Sequence, residues 1–286
     1  MTSSLRQLAG IILRHEPSLR FTILEVGAAP LVNMTEPFHI FVELFTGSKI
    51  LAFELDTDLC ERMNNRAKPG IHYYPVALGA REESRPLYET VNPICCSLYK
   101  PNEALMSYYN NMMELAALKS VSMIDTVSLD YFMRNYTIDQ VDFIKIDVQG
   151  AELDVFRGGK ETLKNVVGIV CEVEFIPNYI GQPLFGDVCS FLSEQGFMFH
   201  KFLGLQGRAL KPVILQDNPN FPSQHIWSDA VFMRDIPTLS SLSPEQLLKM
   251  ALIGLIYGSP DVTYHCLDQY DKGKGTQLGK RFIEIQ

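Results

Sequence analysis

The sequence predicts an α/β protein built on a doubly wound, seven-stranded, mostly parallel sheet with a C-terminal helical appendage. Three observations carry that prediction. Short apolar runs of strand length alternate with segments whose apolar residues recur at helical spacing. The opening order is β-α-β-α-β, and the alternation resumes after one irregular stretch, as parallel right-handed crossovers require. Carboxylates gather at the strand ends, the edge where such sheets keep their sites.

Residues 5–14 read as a helix that leads the chain within segment 1–20. Residues 21–26 form an apolar strand ending in Gly27-Ala28-Ala29-Pro30. Phe38, Phe41, Val42 and Phe45 then fall at i, i+3, i+4 and i+7, one face of a helix stopped by Gly47. Residues 50–53 form the second strand and deliver Glu54 at its end. Leu59 and Met63 mark the next helix, and residues 73–78 the third strand. Residues 89–120 break the pattern, are rich in tyrosine and methionine, and are expected to cover a binding cleft. A helix over 128–136 leads to a strand over 141–147, a helix from Ala151 and a strand over 166–175. A helix over 187–195, a strand over 197–202, a proline-bearing loop and a strand over 229–234 complete the set. Ser243-Pro244-Glu245-Gln246 supplies an N-cap serine, a first-turn proline and a glutamine three residues on. It opens a helix to about residue 257, and Pro260 opens a second to about 270. Residues 1–236 thus carry the sheet, and residues 237–286 form an extension suited to packing or interaction.

A formal charge of −8 in 286 residues argues against nucleic acid or an anionic membrane as the main partner. The apolar stretch at 8–13 is cut by Arg14, too short for a membrane span. Six cysteines show neither a CxxC pair nor zinc-finger spacing, which suits a reducing cytoplasm. The adjacent Cys95 and Cys96 are expected as packing.

The most informative stretch is Phe143-Ile-Lys-Ile-Asp-Val-Gln-Gly-Ala-Glu-Leu-Asp-Val-Phe-Arg-Gly-Gly159. Strand alternation sets Lys145 and Asp147 on one side and Ile144 and Ile146 on the other, and Gly150 turns the chain into a helix. Buried charges cost several kcal/mol, of order, unless paired or used. Gly27 after the first strand and Glu54 after the second suit a nucleoside, because glycine admits close backbone approach and a carboxylate accepts from both ribose hydroxyls. A full G-x-G-x-x-G loop is absent, which disfavours a nicotinamide oxidoreductase.

With Ser128-Leu-Asp130, Asp142–Glu152, Glu172-Val-Glu174, Gly181-Gln-Pro-Leu-Phe185 and Asp229-Ala-Val-Phe232, the chain resembles the FkbM family of methyltransferases. The resemblance implies the class I S-adenosylmethionine methyltransferase fold. The resemblance runs from about residue 24 to 234. The Ala28–Pro30 loop departs from the commoner Asn and second Gly, while a branch with proline there also carries a Ser-Leu-x-x-Pro element like Ser97-Leu-Tyr-Lys-Pro101. The resemblance implies S-adenosylmethionine as cofactor and a hydroxyl of a sugar, glycan or secondary metabolite as acceptor. It implies cofactor contacts from Glu25, Gly27, Ala28, Phe53, Glu54, Ala77, Leu78 and Asp147. Asp147, Glu174, His225 and Lys145 are the candidates for catalysis, and Ser97, Gln149, Glu172, Glu174, Gln224 and Trp227 those for the acceptor. Glu172 and Glu174 share one side of their strand and repel unless something positive intervenes: Lys145, substrate, or a cation held with Asp147. No metal is expected. His15, His39, His72, His200 and His265 are read as structural. A homodimer is one arrangement the sequence leaves open. The competing reading is an inactive binding module that keeps the fold and docks through its C-terminal helices.

Overall fold

The computed structural model describes residues 2–29 and 36–285; Pro30 of the departing loop lies outside the described residues. The chain opens with α1 (Thr2–Leu13), β1 (Thr22–Val26), a 3-10 turn at Pro37–His39, α2 (Ile40–Leu44), β2 (Lys49–Glu54), α3 (Thr57–Asn64) and β3 (Ile71–Pro75). Then follow β4 (Ala77–Gly79), β5 (Glu83–Thr90), a 3-10 turn at Pro93–Cys95, α4 (Glu103–Met106), α5 (Met113–Ala116) and β6 (Leu118–Ser128). The βα pattern resumes with α6 (Leu129–Asn135), β7 (Phe143–Ile146), α7 (Glu152–Arg157), α8 (Lys160–Leu163), β8 (Gly168–Glu174), α9 (Phe185–Glu194) and β9 (Phe197–Phe202). It closes with β10 (Gln206–Arg208), β11 (Gln224–Arg234), a 3-10 turn at Ile236–Ser241, α10 (Pro244–Ile256), α11 (Pro260–Lys274) and α12 (Leu278–Glu284).

The main sheet runs β10-β11-β8-β7-β1-β2-β3, with β9 also on β11. The five strands β3, β2, β1, β7 and β8 are parallel and β11 is antiparallel to β8. This is the doubly wound, mostly parallel α/β architecture expected. One face packs Leu24, Phe53, Ile144 and Val173 under α6, α7 and α9. The other packs Phe21, Ile23, Phe143 and Val231 under α1, α2 and the C-terminal helices.

Two expectations are corrected. The run 73–78 is not one strand: Val76 separates β3 in the main sheet from β4, which joins a second, three-stranded sheet in the order β4-β6-β5. The stretch expected as an irregular insertion over 89–120 is framed by β5 and β6, which pair antiparallel from Glu83↔Thr126 to Thr90↔Leu118. Both corrections place a small roof over the strand ends of the main sheet.

Ser243 caps α10 in a reciprocal pair with Gln246. Ten of this helix's residues are buried, and Lys249, 1 % exposed, bonds Asp142 Oδ1 at 2.9 Å. Asp142 in turn accepts from the Thr22 N–H at 2.7 Å. The C-terminal helices are thereby pinned to the sheet and complete its second core.

Candidate cofactor and acceptor site

At the end of β1 the backbone turns at Gly27 with φ +81°. The N–H groups of Gly27 and Ala28 both donate to the Phe53 carbonyl, at 3.1 and 2.9 Å, steering the loop toward β2. A Cβ on Gly27 would lie 1.8 Å from the Asp147 carbonyl oxygen, so no other residue fits without moving β7.

Beside this turn opens a cavity of about 480 Å³, within the roughly 300–1,000 Å³ common for small-molecule sites. On the main-sheet side it is lined by Gly27, Ala29, Phe53, Glu54, Asp147 and Gln149; on the small-sheet side by Ala77, Leu78, Leu87, Thr90 and Ile124, with Cys96 and Ser97 from the loop between β5 and β6. Glu54 Oε1 accepts from the N–H groups of Leu55 and Asp56, at 2.7 and 3.2 Å, which fixes the carboxylate at the strand end. Phe53 packs edge-on against Phe132 at 4.8 Å, making the apolar wall.

Behind Asp147 lies a dense group of charges. Lys145 Nζ bonds Asp229 Oδ1 at 2.7 Å and lies 4.0 Å from Asp147 Oδ2. Burial alone would lower the Lys145 pKa, but Asp147, Asp229 and Glu172 outweigh it and hold the ammonium charged. Gln149, at φ +55°, bridges two acids: its Nε2 donates to Asp147 Oδ1 at 2.8 Å and Glu172 Oε2 at 2.5 Å. Tyr179 OH donates to Gln149 Oε1 at 3.0 Å, and Ser97 Oγ donates to the Gln149 carbonyl at 2.6 Å. The strained turn is thus held from both sides. Burial, then the charges of Asp147 and Glu174, raise Glu172 well above the usual carboxylate range. Burial, then Glu152 and Asp147, do the same to Glu174.

Of the sequence-predicted residues, the cavity gathers Gly27, Phe53, Glu54, Ala77, Leu78, Ser97, Asp147 and Gln149. Glu172 and Lys145 stand behind it: Glu172 accepts from the lining residue Gln149, and Lys145 Nζ lies 4.0 Å from Asp147 Oδ2. Others are elsewhere, for identifiable reasons. Glu25 alternates to the opposite side from the lining residue Val26, and pairs with His39 Nε2 at 2.8 Å, so His39 has a partner the sequence did not suggest. Ala28 packs with Ala52, Cys60 and Tyr73 beside α3. Glu174 is 3 % exposed and its strand partner is Trp227. Gln224 and His225 are exposed on β11; His225 pairs with Gly207, and Gln224 Oε1 accepts from Tyr109 OH at 2.8 Å. Neither reaches the cavity lining. Asp229 was named only as part of a motif; 84 residues from Lys145, it left no local signal of the pairing.

Among the described residues, Asp147, Glu152 and Glu172 offer oxygens within 4.8 Å of one another. Glu152, rather than the expected Glu174, joins this trio. Its Oε1 already accepts from the N–H groups of Val148 and Gly150, and Gln149 spans the other two acids.

Burial pushes the Glu152 carboxyl up to about 7. A carboxyl raised on folding binds more protons folded than unfolded, so stability falls as pH rises from about 4.5 to about 7. Each such group contributes a slope of up to roughly 1.4 kcal/mol per pH unit. Thermal melts should therefore give a falling Tm across this interval. Glu152→Gln, which keeps the oxygen for Val148 and Gly150, should flatten the fall; a Tm rising with pH, or an unchanged slope in the variant, would refute the assignment.

A model of the methyltransferase FkbM domain matches residues 25–199, more than half of the chain. No curated protein gives a significant sequence match. Among solved structures, the chain is similar to the N-terminal domain of EvdMO1 with SAH bound, at 10 % identity and a TM-score of 0.34 over 80 % of each chain. It is also similar to the 23S rRNA methyltransferase ErmE, at 9 % identity and 0.31 over 94 % of this chain and 97 % of that one. Likeness of that size supports no inference about ligand or substrate.

Proposed function

Because the chain belongs to the FkbM methyltransferase family, we propose that it transfers a methyl group from S-adenosylmethionine to a hydroxyl of a sugar, glycan or secondary metabolite. The observation that carries this reading is one cavity shared by Gly27, Glu54 and Asp147, from three adjacent parallel strands. Gly27 supplies close backbone approach, Glu54 an anchored carboxylate for ribose hydroxyls, and Phe53, Ala77 and Leu78 an apolar bed for the adenine. When bound, the cofactor supplies a methyl already activated on sulfonium sulfur, so alignment with the acceptor oxygen is the protein's main contribution.

An alcohol is a weak nucleophile near neutral pH, and a base assists by taking its proton as the new bond forms. Asp147 suits that role: it lines the cavity, and Gln149 and Lys145 fix its orientation. Glu172, raised by burial, stands beside it and shares the Gln149 amide. Asp147→Asn is expected to lower kcat by about 10²- to 10⁴-fold, the usual weight of a general base. Titration calorimetry should find S-adenosylhomocysteine affinity changed by far less. Equal losses in both would assign Asp147 to binding alone.

The test of the reaction is incubation with S-adenosylmethionine labelled with ¹³C at the methyl, against neutral and charged sugars and hydroxylated metabolites. An O-methyl resonance in the product is the expected result. Label found only on nitrogen, carbon or sulfur would overturn the oxygen assignment.

A further inference from the structure

Arg208 is the buried cation that this fold does not explain. It is 7 % exposed, and its Nε has no hydrogen-bond partner among the described residues. Its one side-chain hydrogen bond there runs from Nη1 to the neighbouring Gly207 carbonyl, at 2.7 Å. The other two buried cations are answered, Lys145 by Asp229 and Lys249 by Asp142, and so are the half-buried Arg85, by Asp154, and Arg234, by backbone carbonyls including those of Val166 and Gln195. Only Cys95 exerts a favourable charge effect on Arg208, and burial depresses its pKa. An unanswered buried charge costs several kcal/mol, of order, in a chain that has 33 acidic residues available.

Its placement is built. Gly207 pairs with His225 where β10 crosses β11 so closely that a Cβ would lie 2.0 Å from the Gln224 carbonyl oxygen. The guanidinium then lies over the Trp227 ring, 4.9 Å from its centre. Trp227 pairs with Glu174 at the end of β8, beside the end of β7 that carries Asp147. Cys95 is within electrostatic reach of both Asp147 and Arg208. Arg208 therefore stands outside the cavity lining, beyond the strand ends that carry Glu174 and Asp147, with a buried guanidinium edge that meets no protein acceptor and an aromatic face beneath it.

We infer that Arg208, backed by Trp227, recognises an anionic group on the methyl acceptor, a carboxylate or a phosphate. Nε and a terminal nitrogen form the planar fork that both groups accept in bidentate fashion. The inference rests on the methyl-transfer reading only in identifying the bearer of the anion as the acceptor.

Trp227 is the sole tryptophan, so its fluorescence reports on this spot directly. The full chain, with and without S-adenosylhomocysteine, is titrated with glucuronate, acetate, glucose 6-phosphate and inorganic phosphate at constant ionic strength, with glucose and chloride as controls. The Arg208 Nε–H resonance is followed in parallel. Expected is a saturable emission change or resonance shift with the carboxylates or the phosphates, absent with both controls; which series binds more tightly identifies the anion. Arg208→Gln should weaken binding at least tenfold, and Arg208→Lys, which keeps charge but not the fork, should fall between. No saturable response in either signal for any of the four anions would overturn the proposal, as would an unchanged response in a folded Arg208→Gln protein. Heat from S-adenosylhomocysteine without an anion response leaves methyl transfer standing and removes this inference. An anion response without that heat does the reverse.

Discussion

Lys145→Met should lower stability by about 1–3 kcal/mol at pH 8, less than for a fully buried pair, because Asp229 and Asp147 are each more than a third exposed and solvent screens them. The side chain has little to lose in packing, because methionine nearly matches its apolar stem. What is lost is the only ammonium among Asp229, Asp147 and Glu172. For a chain of this size the Tm should fall by roughly 5 °C. The loss should shrink on acidification. Burial already raises the Glu172 carboxyl, and without the ammonium it binds a proton still more readily when folded than unfolded, so protonation stabilises the variant as pH falls toward 5. Paired melts at pH 8 and pH 5 check this. An equal deficit at both would mean that Lys145 acts through packing alone.

The second large effect belongs to Gly27→Ala. Two costs add at this position: a φ of +81°, which residues with a Cβ seldom adopt, and a methyl 1.8 Å from the Asp147 carbonyl oxygen. That contact is with backbone, so no rotamer change relieves it; β1 and β7 must separate. Stability should fall by more than about 2 kcal/mol. Because the separation displaces Asp147, cofactor affinity should fall in whatever fraction stays folded. A variant that melts within a degree of wild type and binds normally would refute the close approach. Glycine at 181 makes a useful control: it also has positive φ but no atom within 4 Å of an added Cβ.

The inner parallel strands β1, β2, β7 and β8 were legible because each is a largely buried apolar run bounded by turn residues. Glu54 and Asp147 were legible for the same reason, as charges that end such runs. The small sheet was hidden. Its strand β5 contains Pro86, which usually argues against a strand, and β6 exposes Val121 and Met123, reversing the usual inward placement of apolar residues. The division of residues 73–78 was masked by an unbroken apolar run, although Pro75 lacks the N–H a continuing ladder needs. Glu25 was read with Glu54 as a strand-end carboxylate flanking Gly27, whereas strand alternation turns it away from the cavity to His39. The pairing of Lys145 with Asp229, and the isolation of Arg208 in a segment that read as loop, are long-range facts without local pattern. The C-terminal helices also bear on the binding-module alternative. With α10 almost wholly buried in the core, little of that helix is free for docking.

The central claim is that the Gly27–Glu54–Asp147 cavity holds S-adenosylmethionine. Calorimetric titration of the full chain with S-adenosylhomocysteine, beside Glu54→Ala, tests it most directly. One site per chain is expected, with an affinity loss on the order of 100-fold in the variant, matching about 3 kcal/mol for hydrogen bonds to a charged group. No heat and no thermal stabilisation of the wild-type protein, or equal affinity in the variant, would contradict it.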